Sequence, residues 1–122
     1  MKNKIAFVSG HVDITEEEFN LHYKDKLDEA IVNGDSFVMG ESNGVDDLAQ
    51  KYLNLKGVKN ITIYHLFEKP RVNYGNYQSI GGYTKHSQKD KDMTLNSDYD
   101  IAWSKRKGYG TDQKLKRRAK LN

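Results

Sequence analysis

At 122 residues the chain fits a single domain, and its 36% hydrophobic and 30% charged residues describe a lean core under a heavily solvated shell. The apolar residues come in blocks, which favours a compact core over disorder, and no block approaches the ~20 residues of a membrane span. The absence of cysteine excludes disulfides and thiolate chemistry. Met1-Lys2-Asn3-Lys4 runs straight into a strand-like block too short for the apolar region of a secretory signal. A cytoplasmic protein with no membrane partner is therefore expected.

Lys4-Ile5-Ala6-Phe7-Val8, closed by Ser9-Gly10, reads as a first buried strand. Thr15 with Glu18 three residues on forms a capping box, and Phe19, Tyr23, Leu27, Ala30 and Ile31 follow at helical spacing until Asn33-Gly34. Ser36-Phe37-Val38-Met39 is a second strand ending at Gly40. Val45, Leu48, Ala49, Tyr52 and Leu53 give a second helix that stops near Gly57. Residues 60–65 alternate as a third strand. The long segment 67–85 holds Pro70, Gly75, Gly81, Gly82 and several tyrosines, and reads as a functional loop. A short polar helix is expected over 87–96, a fourth strand over 99–103, and a last helix capped by Thr111 with Leu115 and Ala119 on its thin apolar face.

This alternation predicts one α/β domain over residues 1–122. It is a Rossmann-like three-layer fold with a four-stranded parallel sheet of order 3-2-1-4 and helices on both faces. Ligands in such sheets sit outside the carboxyl ends of the strands. That rule selects Ser9-Gly10-His11, the loop from Gly40 to Gly44, and residues 104–111.

Gly40-Glu41-Ser42-Asn43-Gly44-Val45-Asp46 joins a strand to a helix. Its glycines admit close backbone approach, and the helix start offers unpaired N–H groups to an anion; a tight turn with Asp46 in the first helical turn fits equally well. Gly108-Tyr109-Gly110-Thr111 repeats the arrangement, Thr111 either capping its helix or donating to a phosphate. Lys89 and Lys91, near Lys85 and His86, could neutralise phosphate charge or simply be solvated. Tyr74, Tyr77 and Tyr83 could stack on a base or cover a sheet edge. His11, His22, His65 and His86 lack metal-ligand spacing, so neither metal nor cofactor is expected.

Charge is uneven under the net +3. Acidic residues, Glu16, Glu17, Glu18, Asp28, Glu29, Asp35, Glu41 and Asp46 among them, lead the chain. Lys105, Arg106, Lys107, Lys114, Lys116, Arg117, Arg118 and Lys120 close it. Such a basic end is either a solvated helix face or a nucleic-acid contact.

In motif order the chain resembles the SLOG superfamily of Rossmann-like nucleotide-binding proteins, which includes the LOG phosphoribohydrolases and DprA. It is nearest in pattern to the small bacterial and phage YspA-like branch. Phe7-Val8-Ser9-Gly10 resembles the family's opening strand, and Gly40-x-x-x-Gly44-x-Asp46 with Leu48-Ala49 its G-x-x-x-G-x-D-x-L-A. Tyr74-Gly75, the Lys89 to Met93 segment, residues 97–102 and Gly108-x-Gly110-Thr111 continue the series. The resemblance implies nucleotide contacts by Ser9, Gly10, Gly40, Gly44, Asp46, Lys89, Gly110 and Thr111, and a homo-oligomer. Lys114 stands where the phosphoribohydrolases carry a catalytic glutamate, and lysines replace paired arginines at Lys89 and Lys91.

The expected function is thus binding of a nucleoside phosphate or an ADP-ribose-like ligand without LOG-type catalysis, with His11, Ser42, Asn43, Gly108 and Tyr109 completing the site. One alternative is N-glycosidic hydrolysis or deoxyribosyl transfer on a nucleoside monophosphate, with Glu41 as the catalytic carboxylate. A second is DprA-like nucleic-acid binding by the basic last helix.

Overall fold

The computed structural model describes residues 3–104 together with Leu115 and Arg118. Gly108, Tyr109, Gly110, Thr111 and Lys114, and the rest of the last helix apart from Leu115 and Arg118, lie outside the described residues.

Nine elements follow one another: β1 (Ile5–Ser9), α1 (Glu16–His22), α2 (Lys24–Val32), β2 (Ser36–Met39), α3 (Val45–Leu55), β3 (Ile61–Leu66), β4 (Gln78–Tyr83), α4 (His86–Leu95) and β5 (Tyr99–Ala102) among the described residues. The sheet is parallel throughout, in the order β4-β3-β2-β1-β5. The α/β class and the expected order of the four core strands hold, but the sheet has five strands rather than four.

The fifth comes from the long segment expected to be a loop. Gln78-Ser79-Ile80-Gly81-Gly82-Tyr83 has two glycines and one β-branched residue, so it lacks the composition of a strand. It is held instead by its ladder with β3, running parallel with only residues 67–77 between them and no helix in that crossover. Gly81 is needed there, because a Cβ would collide with the buried His65 ring.

Alternation along the strands builds two unequal cores. Ala6, Val8, Phe37, Met39, Ile61, Ile63 and Ile101 face α1, α2 and α3, where Phe19, Leu27, Ala49 and Leu53 cover them. Phe7, Val38 and Tyr64 face the opposite way and, among the described residues, form a smaller buried cluster with Met93 of α4. Arg118 braces this thinner side. Its guanidinium makes a paired contact with Asp100 (3.1 Å for both bonds) and donates to the carbonyls of Thr94 and Ser97.

The first predicted helix is two. Thr15 caps α1 with the full capping box, but the backbone departs from helical geometry at Tyr23 (φ −121°) and restarts as α2. The Tyr23 hydroxyl donates to the Ser9 carbonyl at 2.7 Å and accepts from the Trp103 amide at 3.0 Å, so the residue at the break is anchored to two strand ends at once.

At the amino ends of the strands, buried Asp35 accepts from the Lys4 amide (3.0 Å) and the Tyr99 hydroxyl (2.7 Å), tying β1 and β5 to the start of β2. Burial, and then the bond to Asp35, hold the Tyr99 phenol protonated well above the usual tyrosine range. Burial and a bond to Asp92 push Tyr83 up to about 12. A phenol whose folded pKa lies above its unfolded value stabilises fully below ~pH 10 and loses that contribution as pH rises toward the folded value. The melting temperature should therefore fall progressively above about pH 10. Tyr99→Phe should flatten that slope while costing roughly 1–3 kcal/mol at neutral pH for the stranded Asp35 oxygen, as read by urea unfolding.

Candidate functional site

Two of the three predicted loops meet at the carboxyl ends of β1 and β2. Gly44 adopts φ 79°, and a Cβ there would strike the backbone of His11 and Val12. The Val45 amide donates to the His11 carbonyl at 3.3 Å. A Cβ on Gly10 would collide with the Tyr23 hydroxyl and a Val45 methyl. Both glycines are thus required by close approach of main chain and buried side chains.

Gly40 serves differently. A Cβ there would lie 2.8 Å from an Asp46 carboxylate oxygen and 2.9 Å from the Lys89 ammonium. Missing that Cβ, Gly40 opens a cavity of about 260 Å³ lined by Gly10, Ser42, Asp46, His86, Lys89 and Asp90, with Phe7 and Met93 beneath. α4 supplies His86, Lys89, Asp90 and Met93 at i, i+3, i+4 and i+7, one face of the helix. This explains why a helix with so few apolar residues belongs on the sheet: its inward face is partly a polar cavity wall.

Lys89 is only 2% exposed, and its ammonium makes no hydrogen bond or ion pair with any described residue. Asp46 accepts the Ser42 amide at 3.1 Å, and the first turn of α3 carries both Asp46 and Asp47. The positive end of α3 is thus complemented by its own carboxylates rather than left open to an anion. Ser9 holds the only buried side-chain polar atom without a hydrogen-bond partner among the described residues. Its hydroxyl lies on the Phe7 side of β1, one residue before Gly10, although Ser9 itself does not line the cavity.

The other predicted residues have different surroundings. His11 is buried edge-on to Trp103 (ring centroids 6.5 Å), which stacks on His22 at 3.8 Å. Asn43 is exposed. Glu41 is buried, with one oxygen accepting the Leu66 amide at 3.2 Å and the other the Arg71 amide, while the Arg71 guanidinium stands 3.8 Å away. Its carboxylate therefore fastens the end of β2 to β3 and to the following loop, a structural task for both oxygens.

His86 and Asp90 are the cavity groups that reading the sequence did not place in the site. Their i, i+4 spacing around Lys89 carried the signal, hidden because α4 lacks the apolar stripe that orients a helix.

A larger cavity of about 450 Å³ opens at the opposite, amino ends of the strands, beside Asn3, Lys26, Asp35 and Tyr99. Asp35 and Tyr99 there already satisfy each other, and the carboxyl ends are where sheets of this class hold ligands. Among the described residues no group of three His, Asp or Glu side chains could hold a metal ion, and no helix is long and apolar enough to cross a membrane.

Fold and cavity together define a Rossmann-like α/β protein with a polar cavity at its strand ends. Comparison with family models, curated proteins and solved structures finds no match, so the reading of this cavity rests on its own residues.

Glu41→Gln should lower stability by roughly 1.5–3 kcal/mol, the range for hydrogen bonds to a charged group, and leave ligand affinity unchanged. Urea unfolding and calorimetry check the two halves; weakened binding without destabilisation would return Glu41 to the site.

Proposed function

We propose that this protein binds a nucleotide or nucleotide-derived ligand in the cavity beside Gly40, as a binding protein rather than a LOG-type hydrolase. The observation that carries this reading is the side chain of Lys89, only 2% exposed, with its ammonium brought to the cavity wall beside Gly40. An ammonium held at the wall of such a cavity offers a charge-assisted hydrogen bond to a ligand oxygen. The space kept open by Gly40 adds to it. Resemblance to the SLOG superfamily supplies the ligand class, and membership of that superfamily is part of the proposal.

The N-glycosidase reading loses its carboxylate, since Glu41 is committed to Leu66 and Arg71. The nucleic-acid reading loses Arg118, whose guanidinium is spent on Asp100 and two carbonyls. Lys116, Arg117 and Lys120, on which it also drew, lie outside the described residues.

Lys89→Met, which keeps the length of the side chain and removes its charge, tests the proposal by calorimetry against nucleoside mono-, di- and triphosphates and ADP-ribose. The variant should bind about 10- to 100-fold more weakly, the worth of a charge-assisted hydrogen bond. Its ligand-free stability should hold, because methionine keeps the length and the apolar stem of the buried side chain. Equal binding by both proteins, or none by the parent at millimolar concentration, contradicts the reading.

A further inference from the structure

We infer that the outer edge of β4 is a contact surface for a second copy of this chain, the two β4 strands pairing antiparallel about a two-fold axis so that one sheet continues through a dimer. The inference stands apart from the ligand and does not involve the cavity beside Gly40.

β4 ends the sheet with β3 as its one neighbour, and Gln78, Ser79, Ile80, Gly81 and Gly82 are all exposed. An edge strand presents a row of main-chain N–H and C=O groups ready to pair with another strand, and folded proteins guard such edges with charge, proline, a bulge or a covering element. The other edge of the sheet is guarded. The residues of β5 are buried or half-buried, and Asp100 within it pairs with Arg118 at 3.1 Å. β4 has neither charge nor proline. Its guard is the irregularity at its end, where the register with β3 shifts before Tyr83 and Gly82 takes φ 88°. Gln78-Ser79-Ile80 is left as a regular segment that can pair. With the β5 edge guarded, pairing through β4 closes at two copies rather than growing into a filament.

Charge selects the second copy as the occupant. The chain is 30% charged, yet residues 72–84 hold no charge at all. A two-fold axis sets a strand against itself, so any charge on it would face its like, and an uncharged edge is what that pairing needs. Apolar area adds to the main-chain bonds. Phe67, at φ 57°, donates its amide to the Tyr83 carbonyl at 2.9 Å and accepts from the Gly82 amide at 2.8 Å. Those bonds hold a ring that is 64% exposed beside the end of β4. Phe67, Ser79 and Gly81 border an open hollow over the buried His65, next to the edge where a partner's side chains would lie. Pairing centred on Gln78-Ser79-Ile80 also brings the two exposed Ile80 side chains to one face near the axis. The contact is small, so the dimer is weak and depends on concentration.

Sedimentation velocity on the full chain between about 10 μM and about 1 mM covers the affinities that small interfaces reach. The parent should pass from monomer to dimer across that range. Ile80→Lys and Ile80→Glu should each remain monomeric, because each sets like charges across the axis, and an equimolar mixture of the two should regain the dimer. A folding defect in either variant would not be repaired by mixing. Phe67→Asn, whose short polar side chain tolerates the left-handed backbone, should weaken association about ten-fold and leave the circular dichroism spectrum unchanged. A parent that stays monomeric throughout, a dimer indifferent to both Ile80 changes, or a mixture of the two charged variants that stays monomeric overturns the inference.

Discussion

The hydroxyl of Tyr23 holds the Ser9 carbonyl and the Trp103 amide in one place, and much of the molecule is arranged around that contact. It joins the carboxyl ends of β1 and β5, which are neighbours in the sheet. It accompanies the break between α1 and α2, and it comes so close to Gly10 that no side chain fits there. Burial keeps this phenol protonated far above the usual range, so its donor role survives any physiological pH. With Val45 pressed on Gly10 and Gly44 pressed on the His11 backbone, the start of α3 has one available position relative to β1. That position delivers Asp46 to Gly40.

The two faces of the sheet divide the work. The α1–α3 side carries most of the buried apolar residues and supplies the stability of the domain. Among the described residues the α4 side carries the smaller apolar cluster, with Lys89 also buried there. Lys89 is tolerated there because Met93 on the next turn of α4 packs with Phe7 while Arg118 ties β5 to the carbonyls at the end of the helix. A chain selected for stability alone would place an apolar residue at Lys89.

Much of this was legible in the sequence. Apolar blocks ending in Ser9-Gly10 and Gly40, and the Thr15–Glu18 capping box, located the core strands and the helix starts to within a residue or two. What stayed hidden was tertiary in origin. β4 has no strand composition of its own and exists through its pairing with β3. The break at Tyr23 falls inside an unbroken apolar stripe, because its cause is a hydroxyl reaching two distant strand ends. Glu41 stood out as a carboxylate at the mouth of the site, and only its partners Leu66 and Arg71 reveal it as a strap. In the sequence His86 stands only as a neighbour of Lys89 and Asp90 only as part of a motif segment, which assigns neither to the site.

The account turns on where a ligand sits, and a crystal structure of the protein soaked with a nucleoside monophosphate tests that most directly. Ligand density should fill the space between Gly40, Asp46 and Lys89, with a ligand oxygen within about 3.2 Å of the Lys89 ammonium. Density at the amino ends of the strands instead, beside Asp35 and Tyr99, with the Gly40 cavity holding only water, would contradict it.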